Sequence, residues 1–388
     1  MSTMTKTSEH LLYLMACALQ GVSAREEVLA DADLKQLLIM ARKHSVASMV
    51  CMALEKTAIF ANADEATKKQ WIDAKNKAIR KNMLLDAERK TILHELETQG
   101  IWYMPLKGSI LKDWYPKPGM REMADNDILF DASKRKEVKA IFQGRGYTVK
   151  EYNKSNHDEY EKPPIYNFEM HVELYHKIYD TFNEKYADVK QRLIQDAEVP
   201  YRLHFTPEDF YVFVIAHAYK HYSSSGTGIR TLADIYIMNQ KLGGTMNWEY
   251  VDSELRGLGI FSYERESREL AQKLFGIAEL PTEANLSEAE QQMLAYYLGA
   301  STYGTIENRT LNKMRKLQPD GGAITAHTKR KYLLSRIFPG REWCEAYAPT
   351  VYKYPVLLPF FWVWRLAVKG VKRRDIAKQE LEAIKRER

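Results

Sequence analysis

The feature that most constrains this chain is a change of sequence periodicity about a quarter of the way along it. Up to residue 99, apolar residues recur at helical spacing, over residues 9–56 and again over residues 64–99. Gly100 then stands where a helix C-terminal glycine is expected. Short apolar or alternating runs follow and predict strands at residues 101–106, 125–131, 146–152 and 165–176, with helices at 109–114 and 133–144 between them.

The helical pattern returns from about residue 184. It predicts helices at residues 207–222, 229–242, 247–258, 263–274 and 287–299. This order of elements predicts an α+β fold, in which a small mixed β-sheet is flanked by N-terminal helices and a C-terminal helical region. We predict four regions: helices at 1–99, an α/β core at 100–182, helices at 183–370 and a charged tail at 371–388.

Charge and cysteine content narrow the class of protein. The 388 residues carry a formal net charge of +6, which suits an anionic ligand but is well below the bias of a dedicated nucleic-acid binder. Cys17, Cys51 and Cys344 are far apart and form no CxxC pair, so we expect a reducing compartment, the cytoplasm. We also expect no secretory signal and no integral membrane segment, because the most apolar run, residues 356–364, is too short to span a bilayer.

A Lys107-Gly108-Ser109 turn follows the first predicted strand and opens a helix. Glycine at such a turn lets the backbone approach a ligand closely. The N-terminus of a helix offers N–H groups that suit phosphate, and Ser109 adds a hydroxyl. Taken alone, the turn is weak evidence for a binding site, because a Gly-Ser turn is common in ordinary connections between a strand and a helix.

Two aspartates, Asp125 and Asp127, begin the second predicted strand. Strand side chains alternate, so both carboxylates point to one face. Two carboxylates held close together repel unless a cation lies between them, and Mg²⁺ prefers a few carboxylates together with phosphate oxygens. The pattern therefore indicates a Mg²⁺ site, and the alternative is a solvated strand start.

The fourth predicted strand has one acidic face. Met170, Val172 and Leu174 alternate on the side expected to face the core. The opposite side carries Glu169, His171, Glu173 and Tyr175. A carboxylate here would complete a triad with the two aspartates, but alternation alone does not choose between Glu169 and Glu173.

The order Gly-Ser, helix, D-x-D strand and later carboxylate strand resembles the DNA polymerase β-like nucleotidyltransferase superfamily. The chain resembles more closely a bacterial family of uncharacterised nucleotidyltransferases. That family typically has a sequence block KG…L…Y…R…DxDhL, where h is an apolar residue. The block corresponds here to residues 106–115, Arg121 and residues 125–129. The later strand of that family usually reads V-[DE]-L-H-W. Placing it on residues 172–176 favours Glu173 as the third carboxylate, with Tyr175 where the family often has His. Asn126 replaces the apolar residue usual between the aspartates, and the likeness extends over about residues 30–370.

The resemblance implies transfer of a nucleoside monophosphate from an NTP, ATP by default, to an acceptor, with release of pyrophosphate. Asp125, Asp127 and Glu173 would hold Mg²⁺, or alternatively Mn²⁺, and carry the catalysis. Lys107, Gly108, Ser109 and Arg121 would bind the nucleotide phosphates. The acceptor, whether a small molecule, a protein or RNA, is not specified.

Four residues of the helical region are further candidates for nucleotide binding: His217, His221, Arg230 and Asp234. The two histidines share a helix face, so they form a structural pair or face the nucleotide. A zinc site of the HExxH type lacks its glutamate, because Ala218 stands in that place. Two alternatives to an ordinary nucleotidyltransferase are a nucleotide-binding scaffold with altered chemistry and a toxin-like enzyme that modifies tRNA.

Overall fold

The computed structural model describes residues 4–176, 179–318, 322–372 and 374–387. The chain forms two compact units. One comprises Met1–Ala218 and Gly228–Thr302, and the other comprises Tyr219–Thr227 and Tyr303–Arg388. The division of the sequence into four regions stays a prediction.

Helices form the N-terminal part of the first unit, and the longest follows its sequence signals closely. Asp64 caps it, because its Oδ1 accepts a hydrogen bond of 2.9 Å from the backbone N–H of Thr67. The chain leaves this helix through Gly100, whose φ of +67° favours glycine. The six helices are α1 (Lys6–Gln20), α2 (Glu26–Leu29), α3 (Leu34–Lys43), α4 (Ala47–Leu54), α5 (Ala58–Ala61) and α6 (Glu65–Thr98).

A five-stranded mixed sheet follows, and it confirms the predicted α+β fold. In sheet order the strands are β1 (Tyr103–Pro105), β2 (Asn126–Phe130), β5 (Tyr166–His171), β4 (His157–Lys162) and β3 (Thr148–Glu151). Only β2 and β5 pair in parallel; the other pairs are antiparallel. Helices α7 (Gly108–Leu111) and α8 (Arg135–Gly144) lie between these strands in the sequence, with 3₁₀ turns at Lys112–Trp114 and Ala132–Lys134.

Each strand has one face in the hydrophobic core and one face outside it. Ile128 and Phe130 of β2 join Phe168 and Met170 of β5 in a cluster with Tyr160 of β4. Residues of α6 and α8 close that cluster. Because side chains alternate along a strand, the polar residues between these apolar ones lie on the opposite face of the sheet.

Strand β4 is not predicted by the sequence, and the fourth predicted strand is shorter in the structure than expected. That strand was expected to continue to residue 176, but β5 ends at His171. Beyond it, the backbone N–H groups of Val172 and Glu173 both donate to the carbonyl of Asn156. Because two consecutive N–H groups share one acceptor, the regular hydrogen-bond pattern between β4 and β5 stops here. The strand therefore ends, although apolar and polar residues continue to alternate in the sequence.

The chain after the sheet is mainly helical as far as Gly299, as predicted for 207–222, 229–242, 247–258, 263–274 and 287–299. The exception is a hairpin of β6 (Leu193–Gln195) and β7 (Leu203–Phe205), where the sequence indicated helix only. The helices are α9 (Asp180–Lys185), α10 (Pro207–Tyr222), α11 (Arg230–Leu242), α12 (Trp248–Gly257), α13 (Phe261–Phe275) and α14 (Glu288–Gly299), with 3₁₀ turns at Val189–Arg192 and Glu283–Asn285.

The second unit has a small helical core around Met314, Tyr332 and Ile384. On its α19, the aromatic side chains of Phe360 and Trp364 are exposed. None of the helices in the described ranges combines the length and apolarity needed to cross a membrane. The helices are α15 (Ile306–Lys316), α16 (Ala326–Ile337), α17 (Arg341–Tyr347), α18 (Pro349–Lys353), α19 (Leu358–Lys372) and α20 (Arg374–Arg386), with a 3₁₀ turn at Pro355–Leu357.

All three cysteines are buried and free. The reducing compartment and the cytoplasmic location stay predictions.

Candidate active site

The polar face of the sheet brings three carboxylates together. Asp127 of β2 lies opposite Glu169 of β5 in the parallel pairing, and Asp125 immediately precedes β2. His171 of β5 follows Glu169 by two residues and therefore shares its face. Four residues that bear carboxylate or imidazole groups thus lie together where the start of β2 pairs with the end of β5.

Asp127 lies between two hydrogen-bond donors. Lys107 Nζ donates to Asp127 Oδ1 over 3.0 Å, and His171 Nε2 donates to the same oxygen over 2.9 Å. Burial by itself raises the pKa of Asp127, but the Lys107 charge and the His171 hydrogen bond outweigh burial and hold the pKa well below its usual range. Asp127 is therefore a carboxylate at neutral pH.

Asp125 is in the opposite electrostatic situation. Burial raises the pKa of this carboxyl to about 7, and the charges of Asp127 and Glu169 add to the effect. Three acidic groups in a largely buried place repel one another. A divalent cation at this position would relieve the repulsion, so the donor set fits the predicted cation.

The Lys107-Gly108-Ser109 turn packs directly against β2. The N–H of Leu106 donates to the carbonyl of Asp127 over 3.0 Å, and Ser109 Oγ donates to the carbonyl of Leu106 over 2.7 Å. Lys107 adopts a φ of +46°, which is unusual for a residue with a side chain. This strained conformation accompanies the placement of Lys107 Nζ against Asp127.

Arg121 and Asp234 were predicted to bind nucleotide, but the structure pairs them with each other. Arg121 Nε and Nη2 donate to the two carboxylate oxygens of Asp234 over 2.7 and 2.9 Å, and Tyr115 donates to Asp234 Oδ1 over 2.7 Å. Both charged groups are buried. Because the guanidinium of Arg121 is bonded to Asp234, it links the loop before β2 to α11. The geometry therefore favours a structural role for both residues.

The remaining predicted nucleotide-binding residues are Arg230, His217 and His221. Arg230 begins α11 and donates through Nη1 to the carbonyl of Glu122 over 2.9 Å, close to the loop that leads into β2. His217 is half-buried on α10, with its ring 6.4 Å from that of Phe213. His221 belongs to the second unit. Burial is the main cause that raises the pKa of Asp125, and the positive charge of Arg230 opposes it.

Glu173 needs a correction as the third carboxylate. It is exposed and lies after the end of β5, whereas Glu169 is on β5 opposite Asp127. Four residues earlier, Phe168-Glu169-Met170-His171 also resembles the family strand pattern V-[DE]-L-H, and these residues lie on β5. The supposed loss of the histidine at Tyr175 disappears with this shift, and Tyr175 is a buried residue whose hydroxyl donates to the carbonyl of Phe213.

The structure explains why a polar residue, Asn126, lies between the two aspartates. Its side chain is fully buried on the core side of β2. The amide nitrogen donates to the carbonyl of Leu85, and the amide oxygen accepts from Arg89 Nη1 over 2.8 Å. Asn126 therefore ties β2 to α6, and an apolar residue could not make these bonds.

His157 is the residue at this face that the sequence argument did not consider. It lies on β4 opposite His171, and the two rings are 5.1 Å apart. Ligand atoms of His157, Glu169 and His171 all lie within 4.8 Å of one another. The only sequence signal was the charged run His157-Asp-Glu-Tyr-Glu-Lys162, which resembles a loop more than a strand.

Comparison with known proteins gives the family of the chain. The family described as uncharacterised nucleotidyltransferases matches residues 30–276. The chain belongs to this family. The matched region contains the sheet, the acidic cluster and α7, so the nucleotidyltransferase family assignment covers the candidate site.

A solved structure is also similar to this nucleotidyltransferase family member. It is an antigenic nucleotidyltransferase-like protein from Paracoccidioides brasiliensis, with 13% sequence identity, a TM-score of 0.32, and coverage of 53% of this chain and 95% of that chain. No curated protein sequence matches the chain.

Proposed function

We propose that this chain transfers a nucleoside monophosphate from an NTP to an acceptor, with release of pyrophosphate. ATP is the default donor, and Mg²⁺ is the proposed cofactor, with Mn²⁺ as the alternative. One observation carries the proposal: Asp125, Asp127 and Glu169 converge on one face of the sheet, next to Lys107. Glu169 replaces Glu173 in the proposed catalytic group because only Glu169 lies on that face.

The reaction is a displacement at the α-phosphorus. An oxygen or nitrogen of the acceptor forms the new bond as the bond to the β-phosphate breaks, and the electron pair leaves with pyrophosphate. When bound, divalent cations supply charge neutralisation and alignment of the phosphates. Glu169, or a water beside it, takes the proton that the acceptor loses.

The proposed role of Lys107 is to bind the triphosphate of the NTP. Its ammonium is 3.0 Å from Asp127 and largely buried, so it is held at the carboxylate cluster and not in solvent. A cation at Asp127 would compete with this ammonium for the same oxygen. The phosphate oxygens of an NTP would then provide Lys107 with a new anionic partner.

The test is transfer of label from each α-³²P-labelled NTP, with Mg²⁺, to small-molecule, protein and RNA acceptor pools. Wild-type protein should label one pool, and Asp127→Asn should lose that labelling. Asp131→Asn is the matched control, because Asp131 directly follows the same strand and caps the following turn.

The outcomes separate the alternatives. Labelling of tRNA together with growth arrest on expression would assign the toxin-like activity. An NTP-dependent rise in melting temperature without any transfer would favour a binding protein with altered chemistry. Equal labelling by wild type and Asp127→Asn would overturn the proposed active site.

A further inference from the structure

The imidazoles beside the carboxylates give this site a ligand set that Mg²⁺ does not require. His157 and His171 face each other across β4 and β5, and Glu169 lies next to both. His171 Nε2 is 3.6 Å from Glu169 Oε2, and His157 Nε2 is 3.9 Å from the same oxygen. The three side chains therefore point toward one position.

These distances suit ligands of a single small cation. Nitrogen and oxygen ligands bind a first-row ion at about 2.0–2.2 Å, which places two tetrahedral ligands about 3.4 Å apart. The ligand atoms here all lie within 4.8 Å of one another. Small side-chain rotations would bring them to that spacing without moving the strands.

His157 has an imidazole that the protein does not otherwise use. Its Nδ1 is buried and makes no hydrogen bond to any residue in the described part of the chain. Its Nε2 is nearest to Glu169, at a distance too long for a hydrogen bond. Nε2 is therefore the nitrogen of His157 that faces Glu169 without a hydrogen bond to it, and an ion between the two groups could take both as ligands.

We infer that His157, Glu169 and His171 form a binding site for a transition-metal ion such as Mn²⁺, Co²⁺ or Zn²⁺, in preference to Mg²⁺. Imidazole favours these ions, whereas Mg²⁺ binds mainly oxygen. Three protein ligands leave positions open for water or a phosphate oxygen. Since Glu169 belongs to the proposed catalytic group, the inference rests on the proposed function and specifies the ion that its site takes.

His171 connects this site to the aspartates. Its Nε2 is 2.9 Å from Asp127 Oδ1, the oxygen that also contacts Lys107. An ion that takes the place of the proton between His171 and Asp127 would join the nitrogen ligands to the acidic cluster. The site is therefore an extension of the carboxylate group and not a separate structural site.

Calorimetric titration of the full-length, EDTA-treated protein with Zn²⁺ and with Mg²⁺ tests the inference. Wild type should bind one Zn²⁺ at least about a hundredfold more tightly than Mg²⁺. His157→Gln should weaken Zn²⁺ binding by at least about tenfold. His94→Gln is the control, because His94 is an exposed histidine on α6, and it should bind Zn²⁺ as wild type does.

A second measurement works on the wild-type protein and does not depend on how a variant folds. Bound Mn²⁺ should show ¹⁴N couplings in pulsed electron paramagnetic resonance. Absence of these couplings, or Zn²⁺ and Mg²⁺ affinities within about tenfold of each other, would overturn the inference. Neither measurement needs turnover. If the metal has nitrogen ligands but the protein transfers no label, only the proposed function is rejected. If the protein transfers label but the metal has oxygen ligands alone, only this inference is rejected.

Discussion

Asp127 lies directly opposite Glu169 where β2 and β5 pair in parallel. Parallel pairing places both side chains on the same face, so two distant parts of the chain supply one carboxylate cluster. Glu173, four residues further on, is beyond the end of β5 and exposed. The register of two strands thus distinguishes two glutamates that look equivalent in the sequence.

The two glutamates give a matched pair of variants. Glu169→Gln should reduce label transfer on the order of a hundredfold or more, because it removes a carboxylate from the proposed cation site. Glu173→Gln should leave transfer within about threefold of wild type, because surface substitutions have small effects. Steady-state rates for the two purified variants provide the comparison, and the reverse ranking would restore Glu173 to the site.

Lys107 should make stability depend on divalent cations. Lys107→Met removes the ammonium from a buried carboxylate and should cost about 2 kcal/mol, a few degrees in Tm, when EDTA is present. Mg²⁺ should recover more Tm in this variant than in wild type, because the ammonium no longer competes for Asp127. Lys150→Met is the control from an exposed ion pair on the same sheet. An equal Mg²⁺ response in all three proteins would contradict the proposed competition.

Much of the fold follows from local signals, and one strand shows why the rest does not. Residues 65–98 carry a cap, helical periodicity and a final glycine, and all three signals are local. The buried face of β4, in contrast, carries Asp158, a residue that strands normally exclude. Arg135 pairs with it through Nε and Nη2 over 2.7 and 2.5 Å. That compensation comes from another element, so no local pattern predicts the strand.

The site shows the same limit. Asp125, Asp127 and the Gly-Ser turn follow from short motifs, and the structure brings them together. Arg121 and Asp234 have similar motif support, but they are 113 residues apart and their pairing is visible only in the fold. The presence of a charged residue in a family motif therefore indicates that the residue matters to the protein, but it does not show that the residue contacts the ligand.

The buried pair of Arg121 and Asp234 should act on stability and not on nucleotide affinity. Arg121→Met alone, or Asp234→Leu alone, should lower the free energy of unfolding by about 3–5 kcal/mol, because each leaves an uncompensated buried charge. The double variant should recover most of that loss. Urea unfolding measures the three proteins, and KM for the NTP should stay near the wild-type value in any that remain folded. A raised KM with unchanged stability would reinstate the phosphate-binding role.

Gly108 is constrained by this same arginine. A Cβ at position 108 would lie 2.5 Å from Arg121 Nη1 and 3.0 Å from Met123 Cε. Arg121 cannot yield easily, since its other nitrogens are bonded to Asp234. Gly108→Ala should therefore destabilise the protein by about 1–3 kcal/mol and reduce transfer. Gly144→Ala, at the end of α8 where a Cβ meets nothing within 4 Å, should be neutral or slightly stabilising. Equal stability of the two variants would refute the crowding argument.

His44 should give the protein a component of acid sensitivity unrelated to the active site. It is fully buried, and its Nδ1 accepts the backbone N–H of Ile229. Burial, with a contribution from Lys43, lowers the pKa of this histidine from 6.5 to about 4. The unfolded chain therefore takes up a proton at pH values where the folded chain does not. The stability present above pH 6.5 is lost as the pH falls toward 4, by about 3 kcal/mol in total.

Urea unfolding at several pH values between 4 and 7 measures this loss. His44→Gln keeps an acceptor for Ile229 but has no proton to gain, so its stability should fall less steeply than that of wild type over this range. The exposed His94 provides the control, because His94→Gln should keep the wild-type slope. The carboxylates that titrate in the same range are common to all three proteins and cancel in the comparison. Parallel slopes for wild type and His44→Gln would mean that the imidazole of His44 is protonated equally in the folded and unfolded chains.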